Sequence, residues 1–250
     1  MVLKGVILAG GTGSRLQPLT TVTNKHLLPI YNKPMIYYPI ETLKSAGIKD
    51  ILVVTGKEHA GDVFKLLGSG KDFGVNFTFK VQDEAGGLPQ AIGLAHDFAH
   101  DSKFVSINGD NILFESIAPA ADEFEESEDL SKVLLYAGTK EEAMQAGVAI
   151  LNEAGKVTGV VEKPKEPPTN EIVIGVYFYT PDVFKIIKNL KPSARGELEI
   201  ADIHNHYIQQ GKLSATKLAK HWLDAGTIEE LSNVNTYMHM HYKEINGKNK

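Results

Sequence analysis

Short apolar runs alternate with segments of helical periodicity over the first half of the chain, and no other feature constrains the fold as strongly. The apolar runs predict strands over residues 5–9, 51–55 and 104–107, and the alternation of polar and apolar residues predicts a further strand over 76–81. Helices are predicted between them over 40–46, 61–67 and 89–98, the first two ending at the glycines of positions 47 and 68. This order predicts an α/β fold with a mostly parallel central sheet and helices on its faces.

The second half of the chain is richer in strand signals. Segments 147–151 and 157–161 flank a turn at 152–155 and predict a β-hairpin. A long strand is predicted over 172–179. Thr180 and Pro181 predict a helix start, and Thr227 with Glu230 has the capping-box pattern of a last helix. No repeat or linker is found, so one continuous domain is expected over 1–250, divided into 1–136, a β-rich lobe at 137–226, and a C-terminal helix and tail at 227–250.

The charge balance and the cysteine count exclude several classes of function. The chain has 26 basic and 31 acidic residues, a net charge of −5, so it offers no general positive field for nucleic acid or an anionic membrane. It has no cysteine, which excludes disulfides, thiolate zinc sites and cysteine nucleophiles. The apolar stretch at 6–9 is too short for a signal peptide or a membrane span, so a cytoplasmic location is expected.

A glycine-rich loop, LAGGTGSRL, occupies positions 8–16 directly after the first predicted strand. Glycines let backbone N–H groups surround an anion, and the planar guanidinium of Arg15 suits phosphate oxygens. A dinucleotide fingerprint would need a glycine where Leu16 stands, and a P-loop would need Gly-Lys-Ser/Thr. On these residues alone, a phosphate-binding loop and a plain turn with a surface arginine are equally consistent.

Three further charged residues stand out by their positions. Lys25 lies between the glycine loop and an apolar run, where it either points inward or is simply solvated. Asp110 follows the fourth predicted strand, at the sheet edge where ligands bind, so it either holds magnesium or only forms a turn. Asp224 occupies a similar setting before the last helix. No metal site is predicted at two histidine pairs, because residues two apart do not share a helix face: His204 with His206, and His239 with His241.

Several segments together resemble the sugar-phosphate nucleotidyltransferases. They are the glycine loop, NKHLLP at 24–29, KPMIYYP at 33–39, VQD at 81–83 with GG at 86–87, GDN at 109–111, EKP at 162–164, GVYFY at 175–179, RGELEI at 195–200 and WLDAGT at 222–227. The order and spacing of these segments agree with those of the family over nearly the whole chain. Two positions depart from the pattern, Ser14 in place of the commoner threonine and Ala146 in place of an aromatic residue. The resemblance implies a Rossmann-like fold with a nucleotide-binding half at 1–136 and a sugar-binding half at 137–226.

The resemblance also implies roles for matching positions. Arg15 and Lys25 would bind the triphosphate and stabilise the charge at the α-phosphorus, and Asp110 and Asp224 would hold Mg²⁺, the implied cofactor. The implied nucleotide contacts are Leu8, Ala9, Gly10, Gly11, Thr12, Gly13, Arg15, Lys25, Gln82, Gly87 and Asp110, with Gln82 and Gly87 at the base. The implied sugar-phosphate contacts are Asn111, Gly147, Glu162, Lys163, Val173, Tyr177 and Trp222. Lys163 would face the sugar's phosphate and completes the implied catalytic set.

The implied reaction joins dTTP and glucose 1-phosphate into dTDP-glucose and pyrophosphate. A sugar phosphate is already ionised near neutral pH, because its second pKa is about 6, so the attack needs alignment and positive charge rather than a general base. UTP or another sugar 1-phosphate is the alternative substrate, and a nucleotide-sugar sensor without turnover is the alternative function. A homodimer fits the amphipathic last helix. The additional C-terminal segment of longer members has no counterpart here, which leaves allosteric control and tetramer formation without support.

Overall fold

The computed structural model of the protein describes residues 3–193 and 196–246, with side chains as far as residue 242. Arg195, in a segment that carries the family resemblance, and the predicted tail beyond residue 246 lie outside the described residues. The strands are β1 Lys4–Ala9, β2 Pro29–Ile30, β3 Lys33–Pro34, β4 Asp50–Gly56, β5 Asn76–Gln82, β6 Phe104–Asn108, β7 Asn111–Leu113, β8 Ser131–Ala137, β9 Gly147–Leu151, β10 Val157–Glu162, β11 Glu171–Tyr179, β12 Leu213–Lys217 and β13 Trp222–Asp224. The helices are α1 Tyr37–Ser45, α2 Ala60–Leu67, α3 Leu88–Gly93, α4 His96–Ala99, α5 Ala118–Glu126, α6 Lys140–Ala143, α7 Val183–Asn189, α8 Ile200–Gln209 and α9 Ile228–Asn246.

Nine of the described strands form one sheet, in the order β10-β9-β11-β6-β1-β4-β5, with β8 also paired to β11 and β12 paired to β8. Strands β6, β1, β4 and β5 are parallel, and Val6 aligns with Leu52 and Ser106 of the neighbouring strands. Strand β11 runs antiparallel to β6, β8 and β9. The predicted fold class is confirmed: a parallel central sheet with flanking helices continues into a β-rich lobe. The boundaries of the halves stay a prediction.

Both faces of the parallel strands β1, β4 and β6 are buried, as their apolar sequences predict, whereas the residues of the edge strand β5 are exposed or half-buried as far as Val81. Ile7 and Val53 pack on one face with residues of α1, α2 and α5, whereas Val6 and Leu52 pack on the other with residues of α3, α7 and α8. Successive side chains of a strand point to opposite faces, so a strand that is apolar throughout needs a helical layer on each side. The helices thus cover both faces, and the ends of the strands remain for ligands.

Two predicted helix boundaries are wrong. The helix expected over 89–98 is divided into α3 and α4, because Leu94 and Ala95 donate to carbonyls only three residues back in a tight turn after Gly93. The helix expected to start at Pro181 starts at Val183. Thr180 precedes it as part of the chain from β11, and its N–H donates to the Leu130 carbonyl at 3.0 Å. The hydrogen bond to Leu130 keeps this segment extended alongside β8.

The last helix, α9, closes one side of the molecule as its apolar face predicts. Leu231, Val234 and Met238 are buried in a cluster that also contains Leu16 and Ile112. At its start, Thr227 Oγ1 accepts a hydrogen bond from the Glu230 N–H at 3.2 Å, one of the two bonds of a capping box. No helix in the described part of the chain, α9 included, has the length and apolar character needed to cross a membrane.

Candidate functional site

A cleft of about 380 Å³ opens at the carboxyl ends of β1, β5 and β6. It extends from the glycine loop to the β9–β10 hairpin, so that segments far apart in sequence share one space. Most predicted site residues line it: Leu8, Gly10, Gly11, Thr12, Arg15, Lys25, Gln82, Gly87, Asp110, Gly147, Glu162, Lys163, Val173, Tyr177, Trp222 and Asp224. The carboxyl-end rule for parallel sheets therefore locates this cleft correctly.

Three predicted contact residues lie behind the cleft wall: Ala9, Gly13 and Asn111. Ala9 is fully buried, and its carbonyl accepts a hydrogen bond from Asn24 Nδ2 at 3.4 Å. Gly13 has a φ of 67°, in the left-handed region that glycine adopts readily, and its carbonyl accepts from Thr20 Oγ1 at 2.8 Å. The carbonyls of both residues thus join the loop to the segment that follows it.

The side chain of Asn111 is buried where three strands meet. Its Oδ1 accepts the Gly175 N–H at 2.9 Å and the Trp222 Nε1–H at 2.7 Å, and its Nδ2 donates to Asp110 Oδ1 at 3.3 Å. These bonds join β7, β11 and β13 and hold Asp110 in place. Because the amide oxygen already accepts two hydrogen bonds, the structure gives Asn111 a supporting position behind the cleft and not a place in its lining.

Lys25 and Asp110 form an ion pair inside the cleft. Lys25 Nζ lies 2.5 Å from Asp110 Oδ2, and only 13% and 10% of the two side chains are exposed. Burial alone would lower the pKa of Lys25, but the charge and hydrogen bond of Asp110 outweigh it and raise that pKa. Burial alone would raise the pKa of Asp110, yet the Lys25 ammonium holds it well below its usual range. Both groups are therefore charged at neutral pH.

Asp224 brings a second carboxylate to the same place. The β7–β13 register sets it opposite Asn111, and the Ala225 N–H donates to the Asp110 carbonyl at 3.2 Å. Asp224 Oδ1 is buried and has no hydrogen-bond partner among the described residues. Burial, followed by the negative charge of Asp110, raises the pKa of the Asp224 carboxyl well above its usual range. Two carboxylates held in this way repel each other, so the pair fits a cation between them.

The donor set at this pair suits magnesium. The described residues contain no cluster of three or more histidine or acidic side chains arranged to hold a metal. Mg²⁺ typically takes one or two protein carboxylates and completes its shell with water and substrate phosphates. Asp110 and Asp224 alone would therefore be sufficient ligands.

Arg15 reaches the cleft from the short 3₁₀ turn Ser14–Leu16. Leu16 is fully buried and anchors this turn, while Arg15 is exposed. A Cβ built on Gly226 would lie 3.1 Å from Arg15 Nη2 and 3.1 Å from Asp224 Oδ1. The absence of a side chain at Gly226 thus lets the guanidinium approach the carboxylate pair, which places a second cation beside Lys25.

The β9–β10 hairpin forms the opposite wall of the cleft. Its register pairs Gly147 with Glu162, and a Cβ on Gly147 would lie 3.4 Å from Glu162 Oε2. Lys163 has a φ of 43°, a left-handed conformation that residues with a Cβ rarely adopt. Its N–H donates to the Ala146 carbonyl at 3.0 Å, which supports this turn. A carboxylate and an ammonium that line the same cleft suit the hydroxyls and the phosphate of a sugar phosphate.

Several cleft residues were not predicted from the sequence: His26, Ala85, Leu88, Ala91, Asn108, Gln145, Ala146, Val160, Gly175, Glu197, Ile200 and His204. Asn108 ends β6, where the carboxyl-end rule could have identified it. The Nε2 atom of His204 lies 3.0 Å from the Tyr179 hydroxyl. Burial lowers the pKa of His204 to about 3, so the imidazole ring is neutral. Its pairing in sequence with His206 carried no useful signal, because packing against β11 decides which histidine turns inward.

Comparisons with known proteins agree with this geometry. A profile of the Nucleotidyl transferase family matches residues 4–240. A low-salt glycan biosynthesis nucleotidyltransferase from Haloferax volcanii is 41% identical over 93% of this chain, which spans 65% of that protein's length. A glucose-1-phosphate thymidylyltransferase from Neisseria meningitidis is 40% identical over 92% of this chain and 80% of its own length.

Solved structures share the fold as well. A Bacillus anthracis protein with a provisional assignment as glucose-1-phosphate thymidylyltransferase superimposes with a TM-score of 0.90 at 49% identity, covering 94% of this chain and 95% of its own. A UDP-glucose pyrophosphorylase complexed with UDP-glucose gives a TM-score of 0.83 at 26% identity, covering 96% and 99% of the two chains. The family profile spans almost the entire sequence, and its relatives share both sequence and fold with this protein. The chain belongs to the nucleotidyl transferase family.

Proposed function

We propose that this nucleotidyltransferase forms dTDP-glucose and pyrophosphate from dTTP and glucose 1-phosphate. The observation that carries the proposal is one cleft in which a glycine loop, two cations and two carboxylates adjoin the pair Glu162 and Lys163. The thymidylyltransferase from Neisseria meningitidis, at 40% identity, supports this choice of substrates.

The residues of the cleft match the demands of the transfer step. An oxygen of the sugar phosphate attacks the α-phosphorus of the nucleotide, a new P–O bond forms, and the bond to pyrophosphate breaks. The attacking oxygen is already ionised, so no side chain has to remove a proton. Arg15 and Lys25 stabilise the negative charge that moves onto the leaving pyrophosphate. Glu162 and Lys163 hold the sugar and its phosphate, which aligns the oxygen for in-line attack.

Asp110 and Asp224 are the proposed ligands of Mg²⁺, which when bound neutralises phosphate charge and orients the nucleotide phosphates. Lys25 contacts Asp110 Oδ2 in this structure, so a metal and the ammonium compete for the same oxygen. We therefore expect Lys25 to pair with the triphosphate once Asp110 serves as a metal ligand. The negative charge of the triphosphate would then favour the charged ammonium, as the charge of Asp110 does in its absence.

The test is a pyrophosphate-release assay across a matrix of dTTP, UTP, dCTP, ATP and GTP with several sugar 1-phosphates, each with Mg²⁺ and with a chelator. We expect dTTP with glucose 1-phosphate to react best, UTP about tenfold or more slowly, and purine nucleotides hardly at all. UTP is the second candidate, because the UDP-glucose pyrophosphorylase shares this fold. A preference for UTP over dTTP would overturn the choice of base. Nucleotide binding without pyrophosphate release would favour the sensor. A homodimer stays a prediction, to be checked by light scattering.

A further inference from the structure

Gln82 ends the edge strand β5 and borders the cleft beside Gly10. Only 8% of this residue is exposed. A Cβ built on Gly10 would lie 2.2 Å from Gln82 Oε1, so the amide oxygen rests directly against the glycine loop. An amide oxygen accepts hydrogen bonds and an amide nitrogen donates them, so the end that faces a ligand decides which ligand binds.

Gln90, on α3, has its own amide orientation set by the main chain. Its Oε1 accepts the Gly86 N–H at 2.9 Å, an N–H that also lies 3.0 Å from the Glu84 carbonyl. A backbone N–H can only donate, so the oxygen of Gln90 has to face it. A Cβ built on Gly86 would lie 2.6 Å from Gln90 Cδ, and a glycine at this position is therefore what admits the amide.

Gln90 in turn sets the orientation of Gln82. Gln82 Nε2 donates to the same Gln90 Oε1 at 2.7 Å. An oxygen cannot donate, so the atom of Gln82 that faces it has to be the amide nitrogen, and Gln82 Oε1 is directed to Gly10 instead. No described residue donates a hydrogen bond to Gln82 Oε1. The two amides thus leave one unused acceptor beside the glycine loop.

We propose that Gln90 is a positioning residue for base selection, which holds Gln82 so that its amide oxygen accepts a hydrogen bond from the base. The inference rests on the proposed function and narrows it to pyrimidines with a ring N–H at position 3, which are thymine and uracil. Cytosine has a lone pair at that nitrogen and would present a second acceptor to the Gln82 oxygen. A buried acceptor left without a donor costs about a factor of ten or more in binding.

The experiment compares kcat/KM for dTTP, UTP and dCTP in the wild type and in Gln90→Leu, by pyrophosphate release with glucose 1-phosphate. Leucine is of similar size but has no acceptor, so the Gln82 amide is free to turn. We expect the dTTP/dCTP ratio to fall at least about tenfold. The dTTP/UTP ratio is expected to stay unchanged, because both bases carry the same N–H. Gln90→Glu keeps an acceptor oxygen for both donors and is expected to retain the wild-type dTTP/dCTP ratio.

Two further variants make the outcome decisive. Gln209→Leu is the same substitution on the exposed end of α8, away from the cleft, and is expected to change neither ratio. Gly86→Ala displaces the Gln90 amide sterically and is expected to lower the dTTP/dCTP ratio even where Gln90→Leu does not fold.

The proposal is overturned if Gln90→Leu and Gly86→Ala reduce the use of dTTP and dCTP in parallel, or if the wild type uses both nucleotides equally well. A wild type that releases no pyrophosphate with any nucleotide would refute the proposed function instead. In that event, the ratios of dissociation constants for dTTP and dCTP, measured by calorimetry in the same variants, test the role of Gln90 by themselves.

Discussion

Asn111→Ala is the substitution for which the structure allows the sharpest expectation. The amide oxygen accepts two buried donors, the Gly175 N–H and the Trp222 Nε1–H. Alanine leaves both without a partner, and each buried unsatisfied donor costs about 1–3 kcal/mol. We therefore expect the free energy of unfolding to fall by about 2–6 kcal/mol. A loss of this size is a large part of the roughly 5–15 kcal/mol that stabilises a typical domain.

The assay is urea unfolding followed by tryptophan fluorescence, which here reports directly on the altered site because Trp222 is the only tryptophan in the sequence. Asn189→Ala, at an exposed asparagine of α7, is the control and is expected to change stability by less than about 0.5 kcal/mol. If Asn111 chiefly contacted the sugar, its alanine variant would raise KM for glucose 1-phosphate and leave the free energy of unfolding near that of the wild type. Such a result would refute the supporting role derived from the hydrogen bonds.

The remaining predictions concern the charged groups of the cleft and one buried histidine. Arg15→Ala is expected to lower kcat about a hundredfold or more and Arg15→Lys to restore little, because a point charge cannot bridge two oxygens; a change in KM alone would show that Arg15 only binds. Asp224→Asn and Asp110→Asn are both expected to abolish most Mg²⁺-dependent turnover, but thermal melting of the metal-free protein is expected to separate them. Asp224→Asn removes the repulsion between the two carboxylates and is expected to raise the melting temperature, whereas Asp110→Asn leaves Lys25 buried without its partner and is expected to lower the melting temperature. Normal turnover in either variant would exclude the substituted residue as a metal ligand. Burial lowers the pKa of His204 from 6.5 to about 3, so the stability that its neutral ring contributes is present above pH 6.5 and is lost as the pH falls toward 3, by up to about 1.4 kcal/mol per pH unit. His204→Asn is expected to flatten the dependence of the unfolding free energy on pH over that window. Urea unfolding measured at several pH values checks this, and an equally steep pH dependence in both proteins would contradict it.

Much of the fold follows from local patterns. The apolar runs predicted β1, β4 and β6 to within a few residues, because a strand buried on both faces has to be apolar along its length. The alternation of polar and apolar residues predicted the edge strand β5. The break between α3 and α4 was not predictable in the same way. Both segments have apolar residues that pack against the sheet, and the tight turn after Gly93 depends on how they fit there.

The candidate site likewise has features that the sequence predicts and features that depend on packing. Asp110 and Asn111 are neighbours in a polar segment, and the sequence cannot tell which one faces the cleft. The pairing of β7 with β13 and the packing of β11 beside them decide it, because Asn111 accepts one hydrogen bond from Trp222 of β13 and another from Gly175 of β11. Gln90 is a similar case, since its partner Gln82 lies on a different element and nothing in the spacing of the two indicates that their amides meet.

The sequence by itself determined the strand–helix order, the glycine loop after β1, and the placement of Arg15 and Asp110 at one sheet edge. These follow from periodicity and from the rule that parallel strands end on the same side, both of which act over short stretches of chain. Only the tertiary structure decided which side chains fill the cleft and which support it, as with Asp110 in front and Asn111 behind. Such contacts join residues far apart in sequence, for example Asn111 with Trp222, and they depend on strand register and burial that no local pattern encodes.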